Sequence, residues 1–179
     1  LNYDQFIDLL AFLKSRPHQE SLRGAVLDFH VAVGFPADLK AEHAPERSPD
    51  PTAKLPDGKA WQAKSADPNG LIALKPLLPP GDPTAAYALA FVFSPEKQTV
   101  SGVLLGDDPI RVWVGGKPVF ERGVAKLQAF ATEEKFDAEL PAGWSPILVK
   151  VVGTGRTHNL GLTLRGKDLR TAAKPDGAK

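Results

Sequence analysis

Apolar and polar residues alternate with a period of two along most of this chain, and only at its start do apolar residues recur at helical spacing. In residues 1–15, Phe6, Leu9, Leu10 and Leu13 fall at i, i+3, i+4 and i+7, while Asp4, Gln5, Asp8 and Lys14 take the other face. That spacing predicts an amphipathic helix. Asn2 serves as N-cap with Gln5 in the capping-box position, and Pro17 ends the segment. An isolated helix of about four turns is marginal in water. It therefore has to dock, either on sequence outside this chain or in a groove of the body that follows.

Residues 17–24 read as a linker, and strands follow from residue 25. Residues 25–33 carry Val26, Leu27, Phe29, Val31 and Val33 before Gly34-Phe35-Pro36. Residues 37–57 hold Pro45, Pro49, Pro51 and Pro56 among charges and predict a long surface loop, a candidate rim for a binding site. Short strands are expected at 59–64, which contains Trp61, and at 71–74 after the turn Asp67-Pro68-Asn69-Gly70. Residues 85–93 form the central strand, with Tyr87, Leu89, Phe91 and Phe93 on one face and Ala86, Ala88, Ala90 and Val92 on the other. Bulk on one side and small residues on the other predict that both faces are covered.

Further strands are predicted at 99–105, 123–129, 132–140, 146–152 and 158–165, with a hairpin between them. In that hairpin Ile110, Val112 and Val114 alternate with Arg111 and Trp113, and Gly115-Gly116 supplies the positive φ angles of a two-residue turn. About ten short strands joined by Gly- and Pro-rich turns predict an all-β fold, an antiparallel β-sandwich or jelly roll with one N-terminal α-helix. The expected organisation is a helix at 1–16, a linker at 17–24, a sandwich domain at 25–166 and a flexible, basic tail at 167–179.

Composition narrows the function classes. Lys+Arg 22 against Asp+Glu 21 leaves no field to draw the chain to nucleic acid or an acidic membrane surface. No apolar run approaches membrane-spanning length. The absence of Cys excludes disulfides, thiolate metal sites and cysteine nucleophiles. The absence of Met even at position 1 predicts a segment of a longer protein.

Asp107 and Asp108, adjacent in an acidic loop before the hairpin, are the leading site residues. They either supply hard oxygen ligands to Ca²⁺, which asks for six to eight oxygens in all, or cap backbone amides in a tight turn. Arg111 and Trp113 share a strand face and, if it is open, pair a cation with a stacking surface for a saccharide or carboxylate. Trp61, Trp113 and Trp144, with Tyr87, offer either stacking faces or core bulk. His18, His30, His43 and His158 lack zinc-site spacing, and no nucleophile elbow, phosphate loop or dinucleotide fingerprint is present. No acid/base or nucleophile constellation stands out, so no enzyme is expected.

Two resemblances add to this reading. The segment LNYDQFIDLLAFLKSR resembles the last helix of a bacterial class I cytochrome c domain. Haem itself cannot be bound by these residues, since the chain has neither Cys-x-x-Cys-His nor Met. From residue 25 to 165 the order FHVAVGFP, APERSPDPTAKLPDGKAWQAK, DPNGLIAL, AAYALAFVFSPEKQTVSGVLLGDDPIRVWVGGKPVF and AELPAGWSPILVKVVGTG resembles the galactose-binding-like β-sandwich domains of secreted bacterial multidomain proteins. The chain departs from that family at Pro109, where Gly is usual, and at Gly115 and Ser145, where Asn is usual; Pro109 removes a backbone donor from the acidic loop. The Asp107-Asp108 pair is similar to the Asp-Asp loop of protective-antigen-type sugar-binding adhesin domains, in which calcium bridges protein and glycan. These likenesses imply a non-catalytic, carbohydrate-binding-like accessory module of a secreted or periplasmic protein. Its expected ligand residues are Arg111, Trp113, Asp107, Asp108 and Trp61, with Asp107 and Asp108 as calcium ligands. The alternative is a structural module packed on a neighbouring cytochrome c domain, with no ligand of its own.

Overall fold

A computed structural model describes residues 22–78, 83–125, 132–153 and 158–175. The expected helix at 1–16, most of the linker and much of the expected strand at 123–129 lie outside the described residues.

The described chain is an all-β sandwich of two antiparallel sheets. The larger sheet has the order β2 (Gln62–Ser65), β1 (Asp28–Pro36), β4 (Thr84–Ser94), β9 (Gly143–Val152), β6 (Ile110–Val114) and β7 (Lys117–Arg122), with β11 (Arg170–Ala172) also paired to β4. The smaller has the order β3 (Leu71–Ala73), β10 (Asn159–Arg165), β5 (Gln98–Gly106) and β8 (Thr132–Leu140). Between them lies the main core, drawn from alternate residues of both sheets: Ala86, Ala88, Ala90, Val92, Val112, Val149 and Val151 meet Val100, Leu104, Phe136, Leu160, Leu162 and Leu164. The small face of β4 thus points inward, which lets the neighbouring β-branched side chains reach across.

The bulky face of β4 points outward and is covered as well. Residues 37–61 run as a strap across the outside of the larger sheet, with one short helix, α1 (Ala44–Arg47). Leu39, Ala44, Leu55 and Trp61 from the strap pack on Tyr87, Leu89, Phe91, Trp113 and Leu148 to make a second core. The loop expected as a rim is therefore a lid on the sheet. Phe35 joins this outer core because β1 bulges between Val33 and Phe35, at Gly34 with φ of 83°. The extra residue shifts the side-chain alternation and turns Phe35 from the inner to the outer face.

Two local expectations differ from the structure. Trp61 precedes β2 and does not lie in a strand. The segment expected as a tail contributes β11, whose residues 170–172 pair with Phe91–Phe93 in β4. Gln98 anchors this segment, its amide donating to the Lys167 carbonyl at 2.9 Å and accepting from the Lys167 N–H at 2.8 Å. Non-local pairing of this kind leaves no period in a three-residue strand. The Gly115-Gly116 hairpin turn forms as the sequence predicts, with φ of 58° and 78° at its two glycines.

Among the described glycines Gly102 has the least room for a side chain, facing Phe136 in the β5–β8 register. A Cβ at this position would fall 2.1 Å from the Phe136 Cζ. Gly102→Ala is expected to lower stability by ~1–3 kcal/mol through overpacking, and Phe136→Leu in the same background to restore part of it; urea unfolding midpoints check both.

Candidate functional site

The row Glu121–Arg111–Lys150–Tyr87–Ala32 crosses the outer face of the larger sheet, one residue per strand from β7 to β1. Two cations side by side under a lid need partners, because an unpaired buried charge is costly. Lys150 is 0% exposed, and its Nζ donates to the Ala41 carbonyl at 2.5 Å and to Glu46 Oε1 at 3.1 Å. The Tyr87 hydroxyl donates to the same Glu46 oxygen, at 2.5 Å. Burial first, and then this bond to Glu46, pushes the Tyr87 phenol far above its ordinary value. Arg111 pairs with Glu121 at 3.3 Å, and Glu121 also bonds Lys40 of the strap. His43 packs between Phe35 and Tyr87, with ring centroids 5.5 and 6.2 Å away. Burial and the nearby Lys150 ammonium hold its imidazole below the usual histidine value.

Arg111 and Trp113 do come together, the guanidinium lying 4.9 Å from the indole centroid. The face they share is not open, however. Trp113 is only 9% exposed and belongs to the outer core beneath the strap. Trp61 packs against the same core, and its indole N–H meets no acceptor among the described residues.

Asp107 and Asp108 do not sit at an exposed loop tip: each is 1% exposed, in the passage from β5 to β6. The Asp108 carboxylate meets His158 Nδ1 at 2.9 Å, and His158 itself has a φ of 51°. Arg122 closes the corner from β7, donating to the Gly106 carbonyl at 2.9 Å and the Asp108 carbonyl at 2.6 Å and pairing with Glu134 at 3.3 Å. Neither Arg122 nor His158 was singled out by the sequence, because the register that brings them to the acidic turn spans different strands. Among the described residues no group of three or more His, Asp or Glu is arranged to hold a metal ion.

The strap leaves one end of the outer face less covered. Outward alternation along β4 runs from fully buried Tyr87 and Leu89 through Phe91 to half-buried Phe93, whose cross-strand neighbour is half-buried Trp144. The two rings meet edge to face with centroids 5.5 Å apart. Arg170 of β11 lies 4.3 Å from the Phe93 centroid and 5.9 Å from that of Trp144. Two residues back along β4, Phe91 lines a depression of about 410 Å³ together with Asp50, Thr52, Lys174 and three prolines. Asp50 accepts from the Thr52 hydroxyl at 2.7 Å and its N–H at 2.8 Å, and these bonds hold its carboxyl below the usual value. Alternation in β4 signals Phe93, but Arg170 and Lys174 arrive from the segment read as a tail.

No family model matches the chain, and no curated protein matches it. The fold is similar to parts of several solved structures. An anti-sigma factor domain-containing protein aligns over 82% of this chain and 45% of its own length, at 13% identity and a TM-score of 0.49. A family 35 carbohydrate binding module from Clostridium thermocellum aligns over 79% of this chain and 92% of its own, at 11% identity and a TM-score of 0.39. The β-glucosidase of Kluyveromyces marxianus in complex with glucose aligns over 77% and 16%, at 8% identity and a TM-score of 0.44. The chain spans less than half of the first and 16% of the last, and at such identities any ligand has to be read from its own residues.

Two outcomes follow from the buried row. Glu46→Ala strands the Lys150 ammonium and is expected to cost ~3–5 kcal/mol, whereas Glu42→Ala, which loosens an exposed pair with Arg47 at 3.9 Å, is expected to cost under ~1 kcal/mol; chemical denaturation of both variants checks the contrast. Unfolded His43 takes a proton below its ordinary 6.5 while the folded residue resists it, so stability is expected to fall as pH drops from 6.5. His43→Phe keeps the ring contacts and should flatten that slope when unfolding midpoints are compared from neutral to mildly acid pH.

Proposed function

We propose that this chain is a non-catalytic, carbohydrate-binding-like module of a larger secreted or periplasmic protein, and that its saccharide stacks at the open end of the outer face on Trp144 and Phe93. One observation carries this reading: at the end of the outer aromatic row, half-buried Phe93 and Trp144 meet edge to face with Arg170 over the Phe93 ring, and Phe91 beside them in β4 opens onto the depression that holds Asp50, Thr52 and Lys174. Aromatic rings give a sugar an apolar face to lie against, and the polar rim supplies hydrogen bonds that orient it. Arg111 and Trp113 support the site from beneath, by holding the strap and sheet together.

Within the rim, Asp50 is oriented by the Thr52 hydroxyl and N–H.

The calcium reading of Asp107 and Asp108 belongs to the same proposal as its contrasting arm. Trp144→Ala is expected to weaken binding to the best ligand of a glycan array by at least ~10-fold; because Trp144 also packs on the outer core, the comparison is made at a temperature where circular dichroism shows both proteins folded. Binding that survives chelation of calcium supports the aromatic site; binding lost on chelation but unaffected by Trp144→Ala would move the ligand to the Asp107-Asp108 corner. If no glycan binds the wild-type chain, the structural reading takes its place, with the stripe as a contact for a neighbouring domain.

A further inference from the structure

Charge is nearly balanced over the whole chain but not over its last strands. Residues 165–174 hold Arg165, Lys167, Arg170 and Lys174 against a single acid, Asp168. Alternation and register sort these cations. Leu160, Leu162 and Leu164 of β10 fill the core, so Arg165 stands on the outer face of the smaller sheet. β11 belongs to the larger sheet, where Arg170 pairs with Phe93 and Phe93 in turn with Trp144. Trp144, Phe93 and Arg170 therefore form one row across three strands, at ~4.8 Å per step.

Lys174 comes four residues later and lines the depression that Phe91, Asp50 and Thr52 share. Both cations are positioned by backbone contacts. The β4–β11 ladder fixes Arg170, and His30 Nδ1, 3.1 Å from the Ala173 carbonyl, ties the chain beside Lys174. Four residues of extended chain span ~13 Å.

The acids near this row are already engaged or lie elsewhere. Glu96 pairs with Lys167 at 3.1 Å, and Asp168 lines a different depression with Arg23 and Arg165. Asp50 is near enough to feel the Lys174 ammonium, but it also accepts from the Thr52 hydroxyl and N–H. Among the described residues Arg170 has no carboxylate within ion-pair distance; its contacts are the rings of Phe93 and Trp144, 4.3 and 5.9 Å from the guanidinium carbon. A guanidinium held over a ring gains from the ring's negative face. Its N–H donors lie in its own plane and match two oxygens of one anionic group.

We propose that the saccharide taken at the Trp144 end is acidic, with a carboxylate or sulfate held by Arg170 and a further acidic group along the same ligand held by Lys174. This inference rests on the carbohydrate-binding reading above and adds the ligand's charge to it. The rings supply the stacking surface, and the two cations on one face select for the anion.

The full chain is titrated with an oligogalacturonide, a heparin-derived oligosaccharide and a neutral xylo-oligosaccharide of matched length. One of the two acidic ligands is expected to bind at least ~10-fold tighter than the neutral one, and raising the salt should shrink that difference. Arg170→Gln should abolish the preference, and Arg170→Lys, which keeps the charge without the planar fork, should retain part of it. Arg165→Gln removes the same charge from the other face of the sandwich and should leave the affinities unchanged. Equal affinity for acidic and neutral ligands, both weakened by Trp144→Ala, would overturn the proposal and leave the carbohydrate reading standing. Loss of the preference in Arg165→Gln as well, or equally tight binding of single-stranded DNA of matched charge, would overturn it in favour of a general cationic surface. If none of the three saccharides binds, the proposal and the carbohydrate reading fall together.

Discussion

The outer face of the larger sheet depends on one buried interaction, the ammonium of Lys150 held by Glu46 and the Ala41 carbonyl. A lysine in the middle of an apolar sheet face has to be either solvated or fully partnered. The strap supplies the partners, and the Tyr87 hydroxyl shares the same carboxylate. The rest of the lid is positioned around that point: His43 on Phe35 and Tyr87, Leu55 and Trp61 on the outer core, Lys40 on Glu121. A polar network of this type is directional, so it fixes where the strap lies as well as holding it down.

This cover decides which aromatic side chains reach the surface. With the strap in place Trp113 is buried, and along the outward row of β4 only Phe93 is less than fully buried, beside half-buried Trp144 of β9. The three-residue strand β11 then brings Arg170 over those rings. The proposed stacking surface and polar rim thus come from four distant parts of the chain, β4, β9, the strap and the segment of β11, with the strands held in register by the β4–β9 and β4–β11 pairings.

The acidic corner follows the same logic at the other side of the larger sheet. Arg122 donates to two carbonyls of the turn, and His158 meets the Asp108 carboxylate, so the passage between the two sheets is tied from both sheets at once. Pro109 contributes its carbonyl to the Val152 N–H, which continues the ladder where the chain crosses over. Two adjacent carboxylates are held inside the protein because each has neighbours to meet, a pattern that suits a structural lock at a sheet crossing.

The all-β class, the central strand with its unequal faces and the glycine hairpin were legible in the sequence, because each rests on a local rule: alternation, side-chain size, or a positive φ. That both faces of β4 are covered was legible too, since bulk on one face and small residues on the other require it. What covers the bulky face was not, because a proline-rich loop carries no period and its contacts with Lys150 and Tyr87 join residues about a hundred and about forty positions apart. The same holds for Arg122 and His158 at the acidic turn and for Arg170 beside Trp144: a residue's partner across a sheet is set by register, which is a property of the assembled strands. Local chemistry determined which residues could build this sandwich. Only tertiary pairing decided which of its aromatic and charged side chains became core and which reached the surface.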